Sequence, residues 1–194
     1  MSGAAIRLED VACMRGGRTL FAGLDLTLEA GGGALITGPN GAGKSSLIRI
    51  VAGLLDASAG RVTVTGARAL LAEAAGLDPE LPVSEALRFW AALDGRRDAV
   101  AGALDAVGLA DLAPVPVRML STGQRKRVGI ARVVASGAPI WLLDEPANGL
   151  DHGAIGMLGG LIAAHRAAGG IALVATHLPI RMQGAREIVI GGGA

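Results

Sequence analysis

Gly38-Pro39-Asn40-Gly41-Ala42-Gly43-Lys44-Ser45 is the stretch on which the reading of this chain turns. It fits G-x-x-x-x-G-K-[ST] at every position. It follows Ala34–Thr37, a short apolar run suited to a buried parallel strand, and it opens a helix expected from about Gly43 to Ala52. Glycines let successive backbone N–H groups curl around phosphates without Cβ clashes. The start of the helix adds partial positive charge. Lys44 is a point cation for the outer phosphates, and the Ser45 hydroxyl can ligate Mg²⁺. Ser46 follows in the first helical turn and joins the candidate nucleotide-contacting positions.

A second half-site stands about a hundred residues on. Ile140-Trp141-Leu142-Leu143 is an apolar strand that ends in Asp144-Glu145. Two acids at the end of a buried strand are costly unless a metal or cation compensates them. Asp144 is placed to hold Mg²⁺ directly or through water. Glu145 can act as general base on an attacking water. Taken alone, the pair also reads as two solvated carboxylates opening a loop at Pro146.

Leu120-Ser121-Thr122-Gly123-Gln124 decides between these readings. The pentapeptide resembles the signature of ABC ATPases, usually L-S-G-G-Q, with Thr122 in the third place. Without context it is only a Ser-capped helix start. The resemblance implies ATP and Mg²⁺ as ligands. It also implies that Ser121, Thr122, Gly123 and Gln124 act on the nucleotide of a second copy, so that two subunits form a homodimer around two ATP molecules. Asn148-Gly149-Leu150-Asp151 resembles the family's loop at the dimer interface, with Asp151 as its acid; its plain reading is a turn into a helix. His177, after the buried run Ile171–Thr176, resembles the histidine that contacts the γ-phosphate. His152 and His165 have no such context and read as surface residues.

The resemblance covers nearly the whole chain. Cys13-Met14-Arg15-Gly16-Gly17-Arg18, Leu87-Arg88-Phe89-Trp90, Leu120–Arg132 and Ala175-Thr176-His177-Leu178-Pro179 are similar to the ATP-binding subunits of bacterial cytochrome c maturation exporters. That resemblance implies ATP hydrolysis coupled to separately encoded integral membrane permeases, in haem export or handling. It places the protein peripherally at the cytoplasmic face of the bacterial inner membrane. The surface that meets the permeases is expected in the helical insert near Leu77–Trp90.

The remaining pattern fits an α/β chain of P-loop NTPase type. Ile6–Ala12 and Leu24–Leu28 read as strands around a turn at Gly16-Gly17, and Arg61–Thr65 as another. Ser84 is a candidate helix cap; Asp98–Val107, Ser121–Ser136 and Gly153–Ala168 read as helices, and Ile188–Ile190 as a last strand. The expectation is one nucleotide-binding domain over 1–194. It has a mainly parallel core sheet, an N-terminal antiparallel part and a small helical subdomain inserted at about 75–120.

Composition limits the alternatives. The chain has 194 residues, 51% of them hydrophobic, with a formal charge of +1. Its mean hydropathy of +0.49 looks membrane-like. Yet the apolar runs are short: Gly153–Ala164 lies between His152 and His165, below the roughly 18–20 apolar residues of a spanning helix. Met1–Asp10 carries no apolar stretch of the secretory kind, so no signal is expected. A single cysteine, Cys13, leaves no internal disulfide and fits the cytosol. The only basic run is Arg125-Lys126-Arg127, so nucleic acid is not an expected partner. Three rivals stay open: an ABC-type ATPase acting on DNA or ribosomes, a transporter ATPase for another cargo, and a weakly active regulatory subunit.

Two departures from the family pattern matter. The family usually carries a Gln between the phosphate loop and the signature, but the only glutamines here are Gln124 and Gln183. By spacing the place falls near Glu73-Ala74. The family also stacks an aromatic on adenine, where this chain has Met14-Arg15. The Arg15 guanidinium either stacks on the base or is an exposed loop arginine, and base selectivity is weak in both cases. If Glu73 replaces the glutamine in part, Glu73→Ala should lower ATP hydrolysis or its coupling to the permease; a variant unchanged in both assays would end that idea.

Overall fold

The computed structural model describes residues 3–72 and 76–191. Glu73, Ala74 and Ala75 lie outside the described residues, and with them the candidate glutamine substitute. The chain is α/β, built on two sheets. β1 (Ala5–Arg15), β2 (Arg18–Leu28) and β4 (Ala59–Thr65) form an antiparallel sheet in the order β2-β1-β4. β3 (Gly33–Thr37), β5 (Arg68–Leu71), β6 (Ile140–Asp144), β7 (Ile171–Ala175) and β8 (Arg186–Val189) form a parallel sheet in the order β5-β6-β7-β3-β8.

β6 and β7 are buried at every position, which is why they read as unbroken apolar runs. Alternation along them feeds two cores on opposite faces of one sheet. Ile140, Leu142, Ile171 and Leu173 pack with α1 (Lys44–Ala52) and with Ile6, Leu8 and Leu26 of the antiparallel sheet. Trp141, Leu143, Ala172 and Val174 pack with the remaining helices. These are α2 (Val83–Leu93), α3 (Ala99–Ala106), α4 (Thr122–Ser136) and α5 (His152–Ala167). Short 3-10 turns at Ala110–Leu112 and Val117–Met119 follow α3, and an isolated bridge between Pro82 and Pro116 closes the neck of the insert. α2 and α3 pack on α4 and share its core, and α4 in turn packs against β5.

Several expectations shift. The first two strands run longer than their alternation suggested, because β1 is irregular between Leu8 and Cys13, with Asp10 at φ 51°. Ser84 is not the cap: Pro82 is, so α2 starts two residues earlier than a Ser84 cap would give, at Val83. β5, unforeseen, forms the edge beside β6, while β4 crosses to the antiparallel sheet. His165 is no surface residue. Its ring stacks on Trp141 at 4.0 Å with an 8° interplanar angle, and Nε2 lies 3.3 Å from Ile171 O. His152 is exposed, as expected.

Burial holds the His165 imidazole below its ordinary value, against weaker upward pulls from the Ile171 and Pro139 backbones. The unfolded chain therefore takes up the proton more readily, and stability falls as pH drops below about 6.5. Melting curves from pH 8 to pH 5 should show that loss in wild type and a smaller one in His165→Phe; parallel curves would exclude the stacked histidine as the cause.

Candidate functional site

The loop after β3 is shaped by one close approach. Gly38 sits at φ 141°, and a Cβ there would collide with Ile190 O just after β8. The loop then delivers Lys44 as the first residue of α1. Gly43 precedes it as N-cap, with no side chain to cap the helix. The first-turn N–H groups of α1 thus have no capping acceptor from Gly43 and suit an anion. Leu20 and Phe21 of β2 abut Gly43, which brings the hairpin against the loop.

Lys44 is buried. Its Nζ donates to Gly38 O at 2.9 Å and to Pro39 O at 3.2 Å, and stands 3.6 Å from Glu145 Oε1. Two of its N–H donors meet loop carbonyls while its charge faces the Glu145 carboxylate, so the cation is held over the loop that a phosphate group would enter. Next to it, Ser45 Oγ donates to Asp144 Oδ1 at 2.9 Å, across 99 residues of sequence. Burial pushes the Asp144 carboxyl up; the Ser45 hydrogen bond opposes this, Glu145 reinforces it, and Arg49 and Lys126 oppose it weakly. A hydroxyl and a buried carboxylate side by side are hard oxygen donors of the kind Mg²⁺ takes. The residues present therefore fit a nucleotide with its metal.

Glu145 adopts φ 46°, unusual for a non-glycine residue. Its N–H donates to Ala175 O at 2.8 Å, which ties the turn after β6 to the end of β7. The bent backbone aims the carboxylate between two elements: Oε2 lies 2.9 Å from His177 Nδ1 and accepts from His177 N at 3.3 Å. His177 follows β7 and is half-exposed.

The signature residues are split. Ser121 is the N-cap of α4 in a capping box: Gln124 N donates to Ser121 Oγ at 3.2 Å, and Ser121 N donates to Gln124 Oε1 at 2.8 Å. Gly123 packs against Gly149 O of the loop Asn148–Asp151. Asp151 caps α5 through Ala154 N at 2.8 Å. Thr122 faces a cleft of about 890 Å³ that also includes Asn40, Ser45, Asp144, Glu145 and His177. Ser121, Gln124, Asp151 and Arg15 do not line it. Arg15 is exposed at the end of β1, in register with Arg18. Sequence reasoning missed Lys126, which lines the cleft one helical turn after Thr122; the i, i+4 spacing was the available signal. Leu71, Ala72, Gly76 and Leu77, which flank the expected place of the family's glutamine near Glu73-Ala74, make one wall of the cleft.

Comparison with known proteins gives the following. A family profile described as ABC transporter matches residues 21–148. The cytochrome c biogenesis ATP-binding export protein CcmA of Sphingopyxis alaskensis is 54% identical over 187 residues, covering 96% of each chain. Its namesake in Novosphingobium aromaticivorans is 51% identical, covering 93% of each. Among solved structures, an ABC transporter ATP-binding protein from Pyrococcus furiosus superposes with a TM-score of 0.84 at 20% identity, over 96% of this chain and 97% of that one. An ATP-binding subunit of an ABC transporter gives 0.79 at 23% identity, over 89% and 79%. These two show the shared fold.

Because Gly38 has neither the space nor the backbone angle for a side chain, Gly38→Ala should cost about 1–3 kcal/mol or more. A urea titration reads this as a lower midpoint, and an unchanged midpoint would contradict the close approach to Ile190.

Proposed function

The chain belongs to the ABC transporter family as an ATP-binding and hydrolysing subunit, and from that premise we propose that two copies close around two Mg·ATP and drive an export step of cytochrome c biogenesis. The relatives' shared name supports that cargo system, and the cargo we propose is haem or a haem-handling intermediate. The partners would be integral membrane permeases, with this subunit at the cytoplasmic face of the bacterial inner membrane. No described helix is long and apolar enough to cross a membrane. The whole chain would act as one nucleotide-binding domain whose insert, about 75–120, turns its exposed Phe89 toward the permease.

The observation that carries the reading is the position of the Glu145 carboxylate, between Lys44 and His177 and beside the Ser45–Asp144 pair. Gly38 to Ser46 would cradle the phosphates through backbone N–H groups and the Lys44 cation. Ser45 and Asp144 would hold the metal, which supplies charge neutralisation on the phosphates. Glu145 would take the proton from the attacking water, and His177 would fix the carboxylate's orientation. Lys44 must first leave its loop carbonyls, so nucleotide entry exchanges internal hydrogen bonds for external ones. Ser121, Thr122, Gly123 and Gln124 would serve the partner copy's nucleotide, with Asp151 near the two-fold axis. Arg15 would lie against the base.

Glu145→Gln keeps the shape and removes the base. Mg²⁺-dependent hydrolysis should fall by about 10²–10⁴-fold while ATP binding persists. Size-exclusion chromatography of the variant in ATP should show a dimer that wild type forms only transiently. Equal turnover in both proteins would remove Glu145 from the chemistry.

A further inference from the structure

Leu71, Ala72, Gly76 and Leu77 make one wall of the cleft. None of them carries a reactive group, so their contribution is where they stand. One side-chain pair holds both ends of this wall. Arg132 on α4 donates from Nη2 to Leu70 O. Trp90 on α2 donates its Nε1–H to Gly76 O at 2.8 Å. The Arg132 guanidinium lies over the Trp90 ring, 4.6 Å from its centroid. Gly76, at φ 63°, lies flat on the pair: a Cβ there would stand 3.1 Å from the Trp90 ring and 3.6 Å from Arg132 Nη1.

Packing alone does not call for this arrangement. Arg132 is largely buried, and burial lowers its pKa against a weaker pull from Asp94. Its donor bond goes to a backbone carbonyl and its face to a ring. An apolar side chain would fill the same space without the desolvation cost. Only a planar, fork-shaped cation can meet a carbonyl at its edge and an indole at its face. The pair thus joins β5, α2 and α4 at the cleft, and does so without touching Lys44, Ser45, Asp144 or Glu145.

We propose that Arg132 and Trp90 form a positioning clamp that sets Leu71, Ala72, Gly76 and Leu77 along the nucleotide cleft, so that nucleotide binding is felt in the packing of α2 against α4. The proposal rests on the reading of that cleft as the nucleotide site. Phe89, 60% exposed, meets Trp90 edge-on at 5.6 Å and 85°, which puts the outer end of the clamp at the surface. Both residues are positioning residues.

The chain has two tryptophans, so Trp141→Phe leaves Trp90 as the sole indole emitter. Trp141 lies in the core away from the cleft, and its Nε1 has no hydrogen-bond partner in the described structure for Phe to lose. In that background, ATP should shift Trp90 emission with the same saturation curve that equilibrium dialysis gives for ATP binding. Trp90→Phe keeps a ring but removes the donor, and Arg132→Gln removes the cation. Each should lower kcat by about ten- to a hundredfold with KM little changed. Arg132→Lys, which restores charge without the fork, should recover part of the loss. Bound ATP without an emission change, together with wild-type kcat in variants whose melting temperature has dropped, would make the pair merely structural and overturn the clamp. Dialysis showing no ATP bound to wild type would instead overturn the nucleotide reading, and the clamp with it.

Discussion

Ala175 stands level with Asp144 on one side and with Ile36 on the other. That parallel register across β6, β7 and β3 is the constraint on which the site depends. The three strands end together, so the phosphate loop, the two carboxylates and His177 emerge at one edge. A slip of one residue in β6 would turn Asp144 and its neighbours to the opposite face of the sheet. The Ser45–Asp144 and Glu145–Ala175 hydrogen bonds then tie these ends to one another. The two close-packed cores, one on each face, keep β6 and β7 from shifting, because a slip would swap unlike side chains such as Trp141 and Leu142 between them.

What the sequence made legible follows the range of the interactions involved. The loop Gly38–Ser45, the apolar strand Ile140–Leu143 and the cap at Ser121 are local patterns in which a few adjacent residues carry the whole signal. They lie where that reading put them. β5 is only four residues long, too short to show a period, and its partner β6 lies about seventy residues away. β1 hides behind its own irregularity at Asp10. His165 could not be placed because its partner, Trp141, lies on a strand that the helix meets only after folding. The cleft wall and its clamp are of the same kind: Leu70, Trp90 and Arg132 come together from three elements.

The capping residues show one side chain serving two purposes. Ser121 Oγ accepts the Gln124 N–H, yet a hydroxyl keeps its own hydrogen to donate outward. The capping box therefore orients a free O–H at the start of α4, beside the first-turn N–H groups. A helix start built this way is stable inside the monomer and still suited to an anion from outside. Asp151 fixes α5 in the same manner, and Gly123 lets the two helix starts approach through Gly149. The surface proposed above to meet a second copy is thus already organised within the single chain.

Glu145 carries its carboxylate on a backbone turned to φ 46°. Glycine would occupy that conformation with no steric penalty, while a residue with a Cβ gives up about 1–3 kcal/mol. Under the proposed role of Glu145 as general base, selection for durable folding and selection for chemistry pull in opposite directions at this position. A lineage screened only for heat resistance would gain by replacing the glutamate with glycine, and on that proposed role it would emerge robust and inert. Any effort to stabilise this protein by relieving strained backbone must therefore exempt Glu145, although strain alone would rank it among the first residues to change.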